Sequence, residues 1–247
     1  MRGEQLLADR VRLVEAAGEA AIVVMRAPSG YGKSVLAQQL TEGRTRAWVQ
    51  IEEDFDEIEL SRRVLEALHP FAVSADAAQA GLAAVGYALR ELATRGWIVL
   101  DDVHRLDPPL AASLIETILA ERPPALGVIV AGWSLPLDRL LRAEAAGEAV
   151  VFEAADLELN EAECTALLGQ RAPEIRGLSG GWPLAIGMAA TRLARGLEPF
   201  SGSQRSELMS VVVEPLSPEK GSSPRARRVA AIPMARGQPP LRPRISG

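Results

Sequence analysis

The chain has 247 residues, 48% hydrophobic and 24% charged, with a net charge of −5. That is enough for one large domain, or for one domain with a small module attached, and the composition is that of a soluble globular protein. Six arginines and no acid fall in residues 221–247, so residues 1–220 carry −11; a body that acidic is a poor match for direct nucleic-acid binding.

Taken in chain order, residues 4–18 predict a helix with Leu6, Leu7, Val11 and Val14 on one side. A strand over 21–26 runs into Ala27-Pro28-Ser29-Gly30-Tyr31-Gly32-Lys33-Ser34, and a helix opens near Lys33 and reaches Thr41. The spacing Ala-x-x-x-x-Gly-Lys-Ser is one residue from the phosphate-loop pattern, with Ala27 where glycine is usual. A polyphosphate needs backbone N–H groups converging from a tight turn, which Gly30 and Gly32 permit. The unpaired N–H groups and positive dipole end of the following helix point to the same place. Residues 27–35, from Ala27 to Val35, are thus candidate nucleotide contacts. Lys33 is placed to reach the β- and γ-phosphates, and the Ser34 hydroxyl to ligate Mg²⁺. Lys33 is one of two lysines in a chain with 25 arginines, which sharpens the match.

Ala47–Ile51 predicts a short second strand; an acidic run, 52–59, leads into a helix over 57–68 with Ile58, Leu65 and Leu68 apolar. Asp76 predicts the cap of a helix reaching Thr94. Trp97–Leu100 is a third strand ending in Asp101-Asp102. Pro108-Pro109 opens a helix, Leu126–Val130 is a fourth strand, 136–146 a helix, and Ala149–Phe152 a fifth strand. Alternation of helices with continuous apolar strands predicts a five-stranded parallel sheet covered on both faces. Asn160 and Glu163 have the spacing of a capping box and open a small helical module. Gly177 to Gly181 is expected to turn, and Trp182-Pro183 to start a last helix ending near Arg195.

Cys164, the one cysteine, rules out an internal disulfide and suits a small apolar helix position. The polar start, Met1 to Arg12, is no signal peptide, and the longest apolar run, Ala125 to Leu137, is too short to span a bilayer; a cytoplasmic location is expected.

A strand ending in paired carboxylates behind a phosphate loop suggests a nucleoside triphosphatase. Asp101 would hold the Mg²⁺ shell, usually through water, and Asp102 would orient or deprotonate the attacking water. The plainer alternative is an Asp pair at a turn. Only one strand separates the loop strand from the Asp strand in sequence, which suggests that another is inserted between them in space.

Three motifs occur in order: 27–34, then Val99-Leu100-Asp101-Asp102-Val103-His104, then Gly180-Gly181-Trp182-Pro183-Leu184-Ala185. Together they resemble the ATPase module of the signal-transduction ATPases with numerous domains (STAND proteins), in particular the MalT-like ATP-binding regulators of the LuxR family. The resemblance covers roughly residues 5–200. It implies an ATP/ADP switch using Mg²⁺, with slow hydrolysis at most, in a transcriptional regulator. It also implies that Pro183 contacts the adenine or its surroundings and couples nucleotide state to the helical module; a proline in the first turn of a helix is the simpler reading. His104 has no assigned role beyond that of a turn or capping histidine.

There are departures. The family usually carries Arg after the fourth strand; here the stretch is Ala131-Gly132-Trp133-Ser134. Family members continue through helical repeats to a DNA-binding helix-turn-helix, which cannot fit in 247 residues. The expected organisation is a nucleotide-binding domain over 1–155, a helical module over 156–200 and a disordered Arg/Pro-rich tail over 201–247. Partners would be nucleotide, a second copy or a regulatory protein, with no membrane. The alternatives are a stand-alone AAA-like oligomeric ATPase, with Arg139 or Arg142 as a finger supplied between subunits, and a truncated regulator remnant whose tail reflects a frame change near residue 220.

Overall fold

A computed structural model describes residues 8–71 and 81–199. The sheet has five parallel strands, β1 (Ile22–Arg26), β2 (Arg46–Gln50), β3 (Gly96–Asp101), β4 (Leu126–Gly132) and β5 (Ala149–Glu153), in the order β2-β3-β4-β1-β5. As the sequence suggested, β4 is inserted between β1 and β3. Pairing is in register: Ile22 lies opposite Val128 on β4 and Ala149 on β5, and Val49 lies opposite Leu100.

Alternate residues of each strand enter different layers, as a period of two requires. Ile22, Val24, Ile98, Leu100, Val128 and Val130 pack under helices α3 (Glu57–Ala67), α4 (Leu82–Arg90), α5 (Pro108–Glu121) and α6 (Leu137–Ala145). On the other face, Val23, Met25, Val99, Ile129 and Ala131 meet α1 (Val11–Ala17) and α2 (Lys33–Leu40), and Leu157 of α7 (Ala154–Leu157) joins them. Both faces are covered, so the strands read as unbroken apolar runs.

A separate small core builds the helical module from α8 (Glu161–Leu168), α9 (Ala172–Ser179) and α10 (Pro183–Ala194), around Leu159, Cys164, Ile175, Ile186 and Ala189. Asn160 and Glu163 form the expected capping box at the start of α8, each side chain accepting from the other's backbone N–H at 2.8 Å.

Several local expectations are corrected. The first described helix begins at Val11, and its buried face is Leu13 and Ala17, while Val11 and Val14 face solvent. In α3 the buried side is Leu60, Val64 and Leu65, and Ile58 is exposed. Gly177 lies inside α9, which ends only at Gly180 in the left-handed region. Asp76 and the tail from 200 onward lie outside the described residues. Among the described residues no helix is long and apolar enough to cross a membrane.

Candidate functional site

The C-terminal ends of β1 and β3 bring the loop and the paired carboxylates together. β1 gives way to the loop at Ala27, which is buried, has negative φ and donates its N–H to the carbonyl of Gly132 at 3.1 Å. A methyl group is therefore accommodated where the pattern has glycine. Gly32 caps α2 in a left-handed conformation, φ 77° and ψ 22°, and the first-turn amides of the helix lie beside the loop.

Lys33 is only 6% exposed. Its ammonium donates to the carbonyls of Ala27 at 2.8 Å and Pro28 at 2.9 Å. Burial lowers its pKa, and the charges of Asp102 and Asp101 oppose that shift. The Ser34 hydroxyl donates to Asp101 Oδ2 at 2.6 Å. Asp101 Oδ1 is buried with no hydrogen-bond partner among the described residues. Burial raises the pKa of this carboxyl, and the Ser34 hydrogen bond pulls it back. A hydroxyl and a buried carboxylate with an unused oxygen are hard donors suited to Mg²⁺, which takes few protein ligands and completes its shell with phosphate oxygens and water. Among the described residues there is no cluster of three metal-ligating side chains, so an all-protein metal cage is not what this donor set offers.

Asp102 sits one residue past the strand in the left-handed region, φ 62° and ψ 36°. Its Oδ2 accepts from Gln50 Nε2, at the tip of β2, at 2.9 Å.

The loop opens onto a cleft of about 520 Å³ whose opposite wall is the helical module. Ser29, Gly30, Gly32, Lys33, Ser34, Val35, Asp102 and Pro183 line it. The side chain of Tyr31 packs instead against the core layer under α2, and Ala27 and Pro28 contribute their carbonyls to Lys33. Arg139 and Arg142 are exposed on α6 and line a different groove beside α5, with Arg139 paired to Glu116 at 3.6 Å. The stretch after β4 places Trp133, half exposed, at the position where an arginine was expected.

Two features were not foreseen. One is the seam between loop and module. Gly30 has φ +82°, and a Cβ there would lie 2.9 Å from Trp182 Nε1 and 3.0 Å from Leu184 Cβ. Leu184 N–H donates to the Gly30 carbonyl at 3.0 Å, and Trp182 Nε1 is buried with no partner among the described residues. Gly181, φ +85°, presses against the carbonyl of Leu159, which leaves no room for a side chain where the chain turns onto the loop. The other is Arg10, 3% exposed. Its guanidinium donates to the carbonyl of Leu157 at 2.6 Å and pairs with Glu163 at 3.3 Å, its backbone N–H donates to Gln39 Oε1 at 3.0 Å, and Nη1 lies beside Gly32. Burial lowers its pKa, against the pull of Glu163. Two quoted motifs meet in the seam, but their contact joins residues far apart in the chain, and no motif marks Arg10.

The AAA domain family matches residues 16–141, just over half of the chain. The chain belongs to this AAA domain family. The match spans the loop, both carboxylates and the start of α6 in this AAA domain. The serine/threonine-protein kinases PknK of Mycobacterium tuberculosis and Mycobacterium bovis are 28% identical to it over 256 aligned positions, covering 86% of the chain and 23% of the kinase. The AAA domain chain thus spans about a quarter of the length of these relatives. Among solved structures, a signal transduction ATPase with numerous domains (STAND) carrying a tetratricopeptide repeat sensor, from Pyrococcus horikoshii, superposes with a TM-score of 0.58 at 15% identity, covering 89% of this chain and 34% of that one. A Walker-type ATPase of Pyrococcus abyssi gives 0.54 at 14% identity, covering 83% and 70%. These likenesses show the fold, a P-loop nucleotide-binding α/β sheet, which implies a nucleotide and usually Mg²⁺.

Proposed function

We propose that the chain is the ATP/ADP-responsive switch module of a STAND-type regulator, of the MalT-like class within the LuxR family, acting in the cytoplasm with slow hydrolysis at most. The observation that supports this best is the Gly30 seam: the phosphate loop is backed directly by Trp182 and Leu184 of the helical module, so phosphate contacts on one side of the loop bear on the module on the other. In this reading the amides of 29–35 and the Lys33 ammonium hold the phosphate chain, with Lys33 exchanging two loop carbonyls for phosphate oxygens. Ser34 and Asp101 hold Mg²⁺, which supplies neutralisation of charge on the phosphate oxygens. Pro183 and the start of α10 form the wall facing the nucleoside. Asp102 orients the water and takes its proton as the oxygen bonds to the γ-phosphorus, the bridging bond to ADP breaks and ADP leaves with the electron pair. The readers of the switch would be a regulatory protein or a second copy.

Titration calorimetry with ADP and ATP, with and without Mg²⁺, tests the reading. The wild type should bind both and Lys33→Ala neither, with its fold retained by circular dichroism. Unchanged affinity in Lys33→Ala removes the loop assignment. Limited proteolysis between 155 and 195 should then differ between the ATP and ADP forms; identical patterns count against a switch.

Membership of the AAA domain family supports a second reading, an oligomeric ATPase in which Arg139 or Arg142 acts in trans. Light scattering separates the two: a ring that forms only with ATP favours the second.

A further inference from the structure

β2 lies at one end of the sheet and, among the described residues, pairs only with β3. Two bonds fix which of its backbone groups that ladder uses. Trp97 N–H donates to the Thr45 carbonyl at 2.9 Å, and Ile51 N–H donates to the Asp101 carbonyl at 2.9 Å. The groups of successive residues alternate sides along a strand, so the odd-numbered residues face β3 and Arg46, Trp48 and Gln50 turn their N–H and C=O to the open side. Those outward groups have no hydrogen-bond partner among the described residues. The side chains of the same three residues share one face of the sheet. There the Arg46 guanidinium lies 5.6 Å from the Trp48 ring centroid, and that of Arg44 lies 5.8 Å from Trp97, the β3 residue opposite Arg46.

An open strand edge is a template for a further strand, and proteins commonly guard it with charge. Guards of one sign repel a second copy. Here the strand itself divides the signs. Arg44 and Arg46 stand at its start, and Glu52, Glu53 and Asp54 follow its end, all exposed. Glu53 reaches Arg105 at 3.7 Å, while Arg44, Glu52 and Asp54 make no ion pair among the described residues. Parallel pairing with another copy would set like charge beside like; antiparallel pairing sets each end against its opposite. Arg46–Gln50 pairs completely with its own copy only when the pairing is centred on Trp48. That register puts Trp48 opposite Trp48, Arg46 opposite Gln50 and Arg44 opposite Glu52. The residues that meet at 46, 48 and 50 are the ones whose backbone groups face outward, so the hydrogen bonds and the charges select the same arrangement.

We propose that the open edge of β2 is a self-association surface: two copies of this chain join edge to edge and antiparallel about a two-fold axis at Trp48, merging two five-stranded sheets into one. The contact is isologous, each copy offering the same strand, and it is small, which makes it a transient one. It needs no nucleotide. It is also separate from a ring built through Arg139 or Arg142, since α6 packs on β5, the strand at the other end of the sheet.

Sedimentation equilibrium of the full chain without nucleotide, in about 0.05 M salt, should show a monomer–dimer equilibrium that weakens in about 0.5 M salt, where surface charges are screened. A chain that stays monomeric, or a dimer that forms only with ATP, overturns the proposal. Arg44→Glu and Glu52→Arg each set two like-charged pairs across the axis, and each should weaken dimerisation about tenfold. The double variant Arg44→Glu/Glu52→Arg should recover the dimer. Mixing the two single variants should recover it as well, because their unlike ends then meet in a heterodimer. Undiminished association in either single variant, or failure of both recoveries, defeats the antiparallel edge. Arg139→Ala should leave the dimer as it is; its loss there would move the interface to α6. The register is read by cross-linking. Cys164 is buried, so an introduced cysteine is the accessible one. Under mild oxidation Trp48→Cys should give a disulfide-linked dimer, since directly opposed Cα atoms stand about 5.5 Å apart, and Arg44→Cys should not. Any other pattern overturns the pairing centred on Trp48.

Discussion

Two buried cations look onto the same cleft, and they are held in opposite ways. Lys33 is satisfied by its own loop: the carbonyls of Ala27 and Pro28 are six and five residues away. Arg10 is held across the molecule: its guanidinium donates to the Leu157 carbonyl and pairs with Glu163 near the helical module, and its backbone N–H donates to Gln39 on α2. Lys33 can leave its partners for a ligand without disturbing anything but the loop. Arg10 cannot, because the same guanidinium ties the entry of the chain to the start of α8. Arg12 reinforces this tie, pairing with Glu163 at 3.3 Å and donating to the carbonyl of Glu158 at 2.6 Å. One cation is built to move and the other to fasten.

The comparison can be broken from the stability side first. Arg10→Leu removes the donor to the Leu157 carbonyl and leaves Arg12 alone beside Glu163; breaking a buried pair costs about 3–5 kcal/mol, and the retained Arg12 pair sets the expected loss at about 2–3 kcal/mol. Urea denaturation should show that loss, and proteases should cut the helical module sooner. A loss well below about 1 kcal/mol, the scale of a surface pair, would mean that Arg10 does not fasten the two parts. Lys33→Ala should do the reverse. Nucleotide affinity falls about 100-fold or more, since charge-assisted hydrogen bonds to phosphate are lost, while the denaturation midpoint barely moves. A comparable loss of stability would erase the distinction between the two cations.

Smaller effects sharpen the picture at the β4 tip. Trp133→Arg puts a cation into the stretch after β4 where the resemblance led to an arginine, and removes the edge-on contact of Trp133 with the His104 ring. Where the new guanidinium reaches the γ-phosphate, single-turnover hydrolysis should rise about tenfold, well under the full value of an optimally placed arginine. A rate at or below wild type would show that the missing arginine is not what limits turnover. The mildest effect is on pH. His104 has its native pKa lowered from 6.5 to about 4. The unfolded chain therefore binds the proton more readily, and the stability His104 contributes is complete above pH 6.5 and lost as pH falls toward 4. Between pH 7 and 5.5 this should amount to about 1 kcal/mol. Denaturation curves of wild type and His104→Asn at the two values should diverge by that amount; parallel curves would contradict it.

What the sequence made legible follows the range of the interactions. The parallel sheet was inferable because its strands are continuous apolar runs, and the phosphate loop with the paired carboxylates suggested a strand inserted between β1 and β3; the full strand order came from the structure. The loop itself, and the capping box of Asn160 and Glu163, are local, so spacing revealed them. Arg10 was hidden in a stretch read as plain amphipathic helix, and that reading chose Val11 and Val14 as the buried side because it extended the helix back through Leu6 and Leu7. In the structure the buried side is Leu13 and Ala17. Trp182 was read only as part of a helix start; that its indole lies against Gly30 depends on how two distant glycines, 30 and 181, let their segments approach, which no window of sequence contains.

The inserted strand also sets the order in which the protein can assemble. β1 is the first strand of this sheet in chain order, and it pairs not with β2, its neighbour in sequence, but with β4 and β5. Ile22 meets Val128 only after about a hundred further residues have been synthesised. At roughly 5–20 residues per second on the ribosome, an apolar segment from Ile22 to Met25 waits about 5–20 s before its partner strand exists. During that interval α1 and α2 are the cover within reach, through Leu13, Leu36 and Leu40, and they shield only one of its faces. The arrangement thus leaves one face of β1 without cover in the nascent chain until β4 arrives, and β4, by pairing with both β1 and β3, is the strand that brings the loop beside the carboxylates.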